Sequence, residues 1–142
     1  MIAFDTNILV YAHRHESPFH DRARTCLKAA SEGAEAWAIP WPCLHEFLAI
    51  VTNARIFKRP TPTPRALDQI DAWLASPTVR VLSEDVGYLE VFRKLVADGR
   101  VSGAKIHDAR VAALAVFHGV RELLTADRDF SRFPALATRN PL

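Results

Sequence analysis

Short apolar runs separated by longer stretches of helical periodicity recur along the whole sequence, and few folds accept that alternation. Residues 2–4, 36–39, 79–82 and 120–125 read as strands, and 135–138 offers a fifth. Residues 8–11 leave the first strand as a helical turn. Ser17-Pro18 supplies an N-cap and a first-turn proline, and Phe19, Ala23, Cys26, Leu27 and Ala30 then repeat at helical spacing up to Gly33. Pro40 and Pro42 stop the second strand, and a helix follows with Leu44, Phe47, Leu48 and Val51 facing inward. Closely spaced prolines make 57–62 a loop. Thr63-Pro64 restarts a helix that buries Leu67, Ile70, Trp73 and Leu74. Ser83 is expected to cap a helix carrying Leu89, Phe92, Leu95 and Val96 and stopping at Gly99. Asp108 opens a helix that is apolar nearly all round (Val111, Ala112, Leu114, Ala115, Val116) and ends at Gly119. Strands alternating with helices indicate an α/β chain, a parallel sheet flanked by helices.

A length of 142 residues with 49% hydrophobic and 24% charged residues predicts one domain, 1–142, whose core needs no disulfide or structural metal. A net charge of +2 permits contact with nucleic acid but does not mark a dedicated binder. Cys26 and Cys43 have no CxxC spacing and read as small core residues in a reducing cytoplasm. Asp5 interrupts the first apolar run and no basic leader precedes it, so neither a secretory signal nor a membrane span is expected, and the location is cytoplasmic.

The informative feature is where the acids fall. Asp5 ends the first strand, Asp127 and Asp129 follow the fourth, Asp108 stands at a helix N-terminus, and Glu46 lies in the first turns of the helix after strand two. In open parallel sheets the carboxyl ends of strands and the adjacent helix N-termini form the ligand crevice. Two carboxylates about 6 Å apart repel by roughly 3 kcal/mol at an effective dielectric of about 20. Several such pairs would consume much of a domain's net stability, so a divalent cation among them is expected. All-oxygen ligands favour Mg²⁺ or Mn²⁺ over Zn²⁺. Such a site suits phosphodiester hydrolysis, since the ion lowers the pKa of a bound water and offsets phosphate charge. Asn7 and Thr125 stand where they can orient a carboxylate or a water.

Other constellations are weaker. His45-Glu46 opens like an HExxH zinc motif, but position 49 is alanine. His13, His15 and His20 with Glu16 match no standard metal spacing and read as a solvated segment entering a helix. No Gly-rich phosphate loop or GxSxG elbow is present. Trp37, Trp41 and Trp73 read as core or dimer packing in preference to base stacking. Arg14, Arg55, Lys58, Arg59, Lys105, Arg110, Arg128 and Arg132 are the basic candidates for RNA contact, with Arg128 nearest the acids.

Ile2-Ala3-Phe4-Asp5-Thr6-Asn7 resembles the opening of PIN domains, in which Asp-Thr/Ser-Asn follows the first strand. Glu46 in Leu44-His45-Glu46-Phe47 is similar to that family's helical acid, and Asp108-Ala109 to its third. Leu124-Thr125-Ala126-Asp127-Arg128-Asp129-Phe130 resembles the closing motif that carries the fourth. The resemblance covers 2–130 in order, at the length of VapC-like toxins. It implies a three-layer α/β/α fold with a mostly parallel sheet of four or five strands and metal-dependent endoribonuclease activity. It also implies homodimers, and inhibition by a small antitoxin encoded beside the toxin. Carried over, Asp5, Glu46, Asp108 and Asp127 form the acidic tetrad. Asp5 and Asp108 are direct metal ligands, Glu46 is a supporting acid or general base, and Asp127 is a ligand through water or to a second ion. Asn7, Thr125 and Asp129 are auxiliary. His107 departs from the small polar residue common at that place and receives no role. A PIN nuclease in RNA processing without an antitoxin, and a non-catalytic RNA- or protein-binding module, are the alternatives.

Overall fold

In the computed structural model, which describes residues 1–142, the apolar runs form five short strands: Ile2–Phe4 (β1), Trp37–Pro40 (β2), Val79–Leu82 (β3), Glu122–Leu124 (β4) and Thr138–Arg139 (β5). They join in one sheet, order β3-β2-β1-β4-β5, with every neighbouring pair parallel. Ile2 pairs with Trp37 on one side and Glu122 on the other. The helices are Thr6–His13 (α1), His20–Glu32 (α2), Trp41–Val51 (α3), Thr63–Leu74 (α4), Tyr88–Gly99 (α5) and Ile106–Phe117 (α6). Short 3-10 turns, Gly103–Lys105 and Arg128–Arg132, precede α6 and follow β4.

The chain moves outward from β1 through β2 to β3, then returns across β1 to β4. Right-handed crossovers therefore lay α1–α4 on one face and α5–α6 on the other. Packing agrees: α1 touches α2 and α3, α3 touches α4, and α5 touches α6. The reversal lies between β1 and β4, so a crevice opens at their carboxyl ends.

The core is one cluster of 31 buried hydrophobic residues. β2 is buried throughout, as a strand covered on both faces must be, whereas the edge strand β5 is exposed. Ala109, Val111, Ala112, Ala113, Leu114 and Ala115 are all buried in α6, whose small side chains let it sit against β2 with α5 on its other flank. Phe47 from α3 is fully buried, its ring edge-on to His13 at 5.3 Å and to Trp73 at 4.8 Å between centroids. No helix is long and apolar enough to cross a membrane.

Several local expectations shift. Ser17 does not cap α2; its Oγ accepts from Phe19 N–H within a turn, and the helix starts at His20. Ser83 does not cap α5 either. Asp85 closes a turn through Val86 and Tyr88 N–H, and Gly87, at φ 91°, leads into the helix. Gly99 is helical, and the left-handed residue after α5 is Arg100; the glycine instead leaves room for the Phe133 ring. β5 begins at Thr138, because Leu136 turns into the core. The histidine segment is solvated only in part: His15 and Glu16 are exposed, but His13 and His20 are not. His13 bonds to Gln69 and Thr61, and His20, buried, bonds to the Tyr11 carbonyl. Desolvation lowers the pKa of His13. Arg14 is likewise structural: it pairs with Glu16 and lies 4.1 Å from the Phe57 ring centroid.

Candidate functional site

Asp5 is placed by the sheet. Its N–H donates to the Leu124 carbonyl at 3.0 Å, carrying the β1–β4 pairing one residue past β1. The chain then turns at once into α1, with Asp5 as its N-cap. Asp5 Oδ1 accepts from Thr6 N–H at 2.8 Å, and Cys43 Sγ lies 3.7 Å away from it. Oδ2 accepts from Asn7 Nδ2 at 2.9 Å and from the Thr125 hydroxyl at 2.6 Å. The carboxyl is only 6% exposed. Burial raises its pKa to about 6, against the lowering by the Thr125 and Thr6 bonds, and nearby Glu46 and Asp127 add to the rise.

Asn7 and Thr125 lock the exits of β1 and β4 together. Asn7 Nδ2 also donates to Thr125 Oγ1, and Asn7 Oδ1 accepts from Ala126 N–H at 3.0 Å. Thr125 Oγ1 accepts from Asp127 N–H, and Asp127 Oδ1 accepts from Asp129 N–H at 2.8 Å, starting the 3-10 turn. Each polar group fixes the next, from strand end to loop.

Asp108, in the first turn of α6, reaches the same place from the opposite layer. Ligand atoms of Asp108, Asp127 and Asp129 lie within 4.8 Å of one another. Burial raises the Asp108 pKa, helped by Asp127 and opposed by Lys105. The Lys105 ammonium is paired with Asp129 and lies 3.8 Å from Asp108. It lowers the pKa of Asp129, and its own is raised in return. Glu46, on α3, accepts the Thr6 hydroxyl at Oε2 at 2.8 Å. Asp5, Glu46 and Asp108 line one cleft of about 510 Å³ together with His45, His107 and Arg110.

All the acids singled out in the sequence thus reach the β1–β4 crevice. Asp129 lies within the tight group of acids, closer to Asp108 and Asp127 than an auxiliary position implied. His107 is exposed on the cleft wall and Arg128 is exposed beside the acidic loop. Three participants were not assigned to the site from sequence. Thr6 orients Glu46, Cys43 underlies Asp5, and Lys105 supplies positive charge. The i to i+3 spacing of Lys105 and Asp108 was the one available signal. The donor set is hard oxygen from clustered carboxylates, two of them held above their ordinary pKa by burial and mutual repulsion. Those properties fit a divalent cation such as Mg²⁺ or Mn²⁺.

The family model described as PIN domain matches residues 2–136. Ribonuclease VapC43 of Mycobacterium tuberculosis is 37% identical over 142 residues, covering 100% of this chain and 96% of the relative. Ribonuclease VapC48 of the same organism is 30% identical over 138 residues, covering 97% and 95%. The crystal structure of VapBC2 from Rickettsia felis bound to a DNA fragment from their promoter has a TM-score of 0.73 at 21% identity, over 99% of this chain and 98% of that one, and shares the fold. The matched stretch runs from β1 past Asp127 and takes in every acid of the crevice; the chain belongs to the PIN-domain family.

Proposed function

We propose that this chain is a Mg²⁺- or Mn²⁺-dependent endoribonuclease and the toxin of a toxin–antitoxin pair, acting in the cytoplasm as one PIN domain over 1–142. What carries the reading is that Asp5, Glu46 and Asp108 line one cleft while Asp108 also groups with Asp127 and Asp129, in a chain similar along its full length to ribonucleases.

Asp5 and Asp108 would hold the ion, and Asp127, with Asp129 beside it, would serve a further ion or act through a water. When bound, the cation supplies charge to offset the phosphate and lowers the pKa of water. The chain's own residues do the rest. Asn7 and Thr125 fix the Asp5 carboxylate so that little reorganisation remains at the moment of reaction. Thr6 holds Glu46 by Oε2, leaving Oε1 to take a proton from the attacking water. Without a cation the acids repel an RNA backbone, so metal and RNA binding are coupled.

A cognate antitoxin would present a basic side chain to the acids, with arginine suited to bidentate carboxylate contact. The rest of its contact would be an amphipathic segment along α3 and α4, where Leu67 is exposed. A homodimer is part of the same reading. Asp5→Asn tests it, since it removes charge with little change of volume and asparagine still serves as an N-cap. Mg²⁺-dependent cleavage of RNA should be abolished while the fold persists; cleavage at the parent rate contradicts the assignment.

A further inference from the structure

Two of the three tryptophans, Trp37 and Trp73, are buried in the core; Trp41, the first residue of α3, is 39% exposed. Its indole lies nearly parallel to the imidazole of His45, with centroids 5.9 Å apart and planes inclined by 26°. His45 and Pro42 line the same cleft as Asp5, Glu46 and Asp108. Both residues are exposed in the first turns of α3, so the stacked pair forms an aromatic shelf at the lip of the acid cleft.

We propose that Trp41 and His45 are a stacking platform for a nucleobase of single-stranded RNA, next to the phosphate that lies over the acids. The proposal rests on the ribonuclease reading above. The charge balance favours this occupant. The cleft is acidic and the chain carries a net charge of only +2, so phosphate attraction is a weak source of affinity here. Stacking on an aromatic face does not depend on charge and accepts any base. A paired duplex keeps its base faces covered, so the shelf selects unpaired RNA.

The test uses the full chain with Asp5 intact and single-stranded oligoadenylate, in millimolar Ca²⁺, which takes oxygen ligands in a looser geometry than Mg²⁺ and is expected to support binding without cutting. Trp41 is the exposed indole, so binding should quench tryptophan emission, and Trp41→Ala should remove the quench. Affinity for labelled oligoadenylate should fall about tenfold in Trp41→Ala and change little in Trp41→Phe. The slope of affinity against salt should stay the same, because no phosphate contact is lost. In the Trp41-containing protein, an abasic oligomer should bind as weakly as oligoadenylate binds to Trp41→Ala, which decides the matter even if that variant folds poorly. Unchanged affinity in Trp41→Ala, equal binding of the abasic oligomer, or no binding of oligoadenylate at all overturns the proposal. So does a change of oligomeric state in Trp41→Ala, which would make the indole a contact with a second copy. The ribonuclease reading stands or falls separately, on whether the chain with Asp5 intact cuts RNA with Mg²⁺.

Discussion

The Thr125 hydroxyl donates a 2.6 Å hydrogen bond to Asp5 Oδ2, joining residues 120 positions apart where two adjacent parallel strands end. The bond is buried and charge-assisted whenever Asp5 is ionised, and Thr125 is the largest influence lowering the pKa of that carboxyl. Thr125→Val keeps the shape and removes the hydroxyl. It should destabilise the fold by about 2 kcal/mol in denaturant titrations. It should also move the acidic limb of the cleavage pH profile upward, because Asp5 loses the bond that favours its charged form. An unmoved profile means that Thr125 does not control Asp5.

Burial holds the Asp5 carboxyl at about 6, above the ordinary 3.8. The folded chain therefore keeps this proton more tightly than the unfolded chain. Its contribution to stability is full below pH 3.8 and is lost as the pH rises through about 6. Complete ionisation costs about 3 kcal/mol. Asp108 is shifted in the same direction. Mg²⁺ should then raise Tm more above a pH of about 7 than below about 5. Melting curves across that range are the check, with a flatter metal-free pH dependence expected for Asp5→Asn.

Lys105 pairs with Asp129 and approaches Asp108, and so stands as the positive charge among three clustered acids. A divalent ion competes with it for the same carboxylates. Lys105→Met should lower the metal-free Tm slightly and tighten Mn²⁺ binding several-fold by calorimetry. Weaker Mn²⁺ binding would show that Lys105 orients the acids instead of competing for them.

Gly99 ends α5 against the buried Phe133 ring, and a Cβ there would lie 2.7 Å from Phe133 Cε1. Gly99→Ala should cost about 1–3 kcal/mol through overpacking. A Tm drop of roughly 3–10 °C is expected in a thermal melt.

The positions of the acids were legible because each lies at a change of periodicity. Asp5 ends an apolar run, Asp108 begins a buried helix, and Asp127 leaves the last long strand. Their convergence required the strand order, and that is set by the return of the chain across β1, a long-range event that leaves no local mark. Lys105 stood out only as one of several basic residues that could meet RNA, because its pairing with Asp129 depends on the 3-10 turn before α6. The caps expected at Ser17 and Ser83 failed because a turn closed before the helix began, by Ser17 itself ahead of α2 and by Asp85 ahead of α5. His13 and His20 read as solvated from their polar neighbours, yet the chain folds back over them through Thr61 and Tyr11.

On this reading, acids brought together between β1 and β4 share a divalent ion. Calorimetric titration of the full chain with Mn²⁺ tests it most directly, with Asp108→Asn alongside. Saturable binding by the parent, strongly weakened in the variant, is the expected result. No heat of binding, together with no change in Tm at millimolar Mn²⁺, would leave the carboxylates structural and contradict the claim.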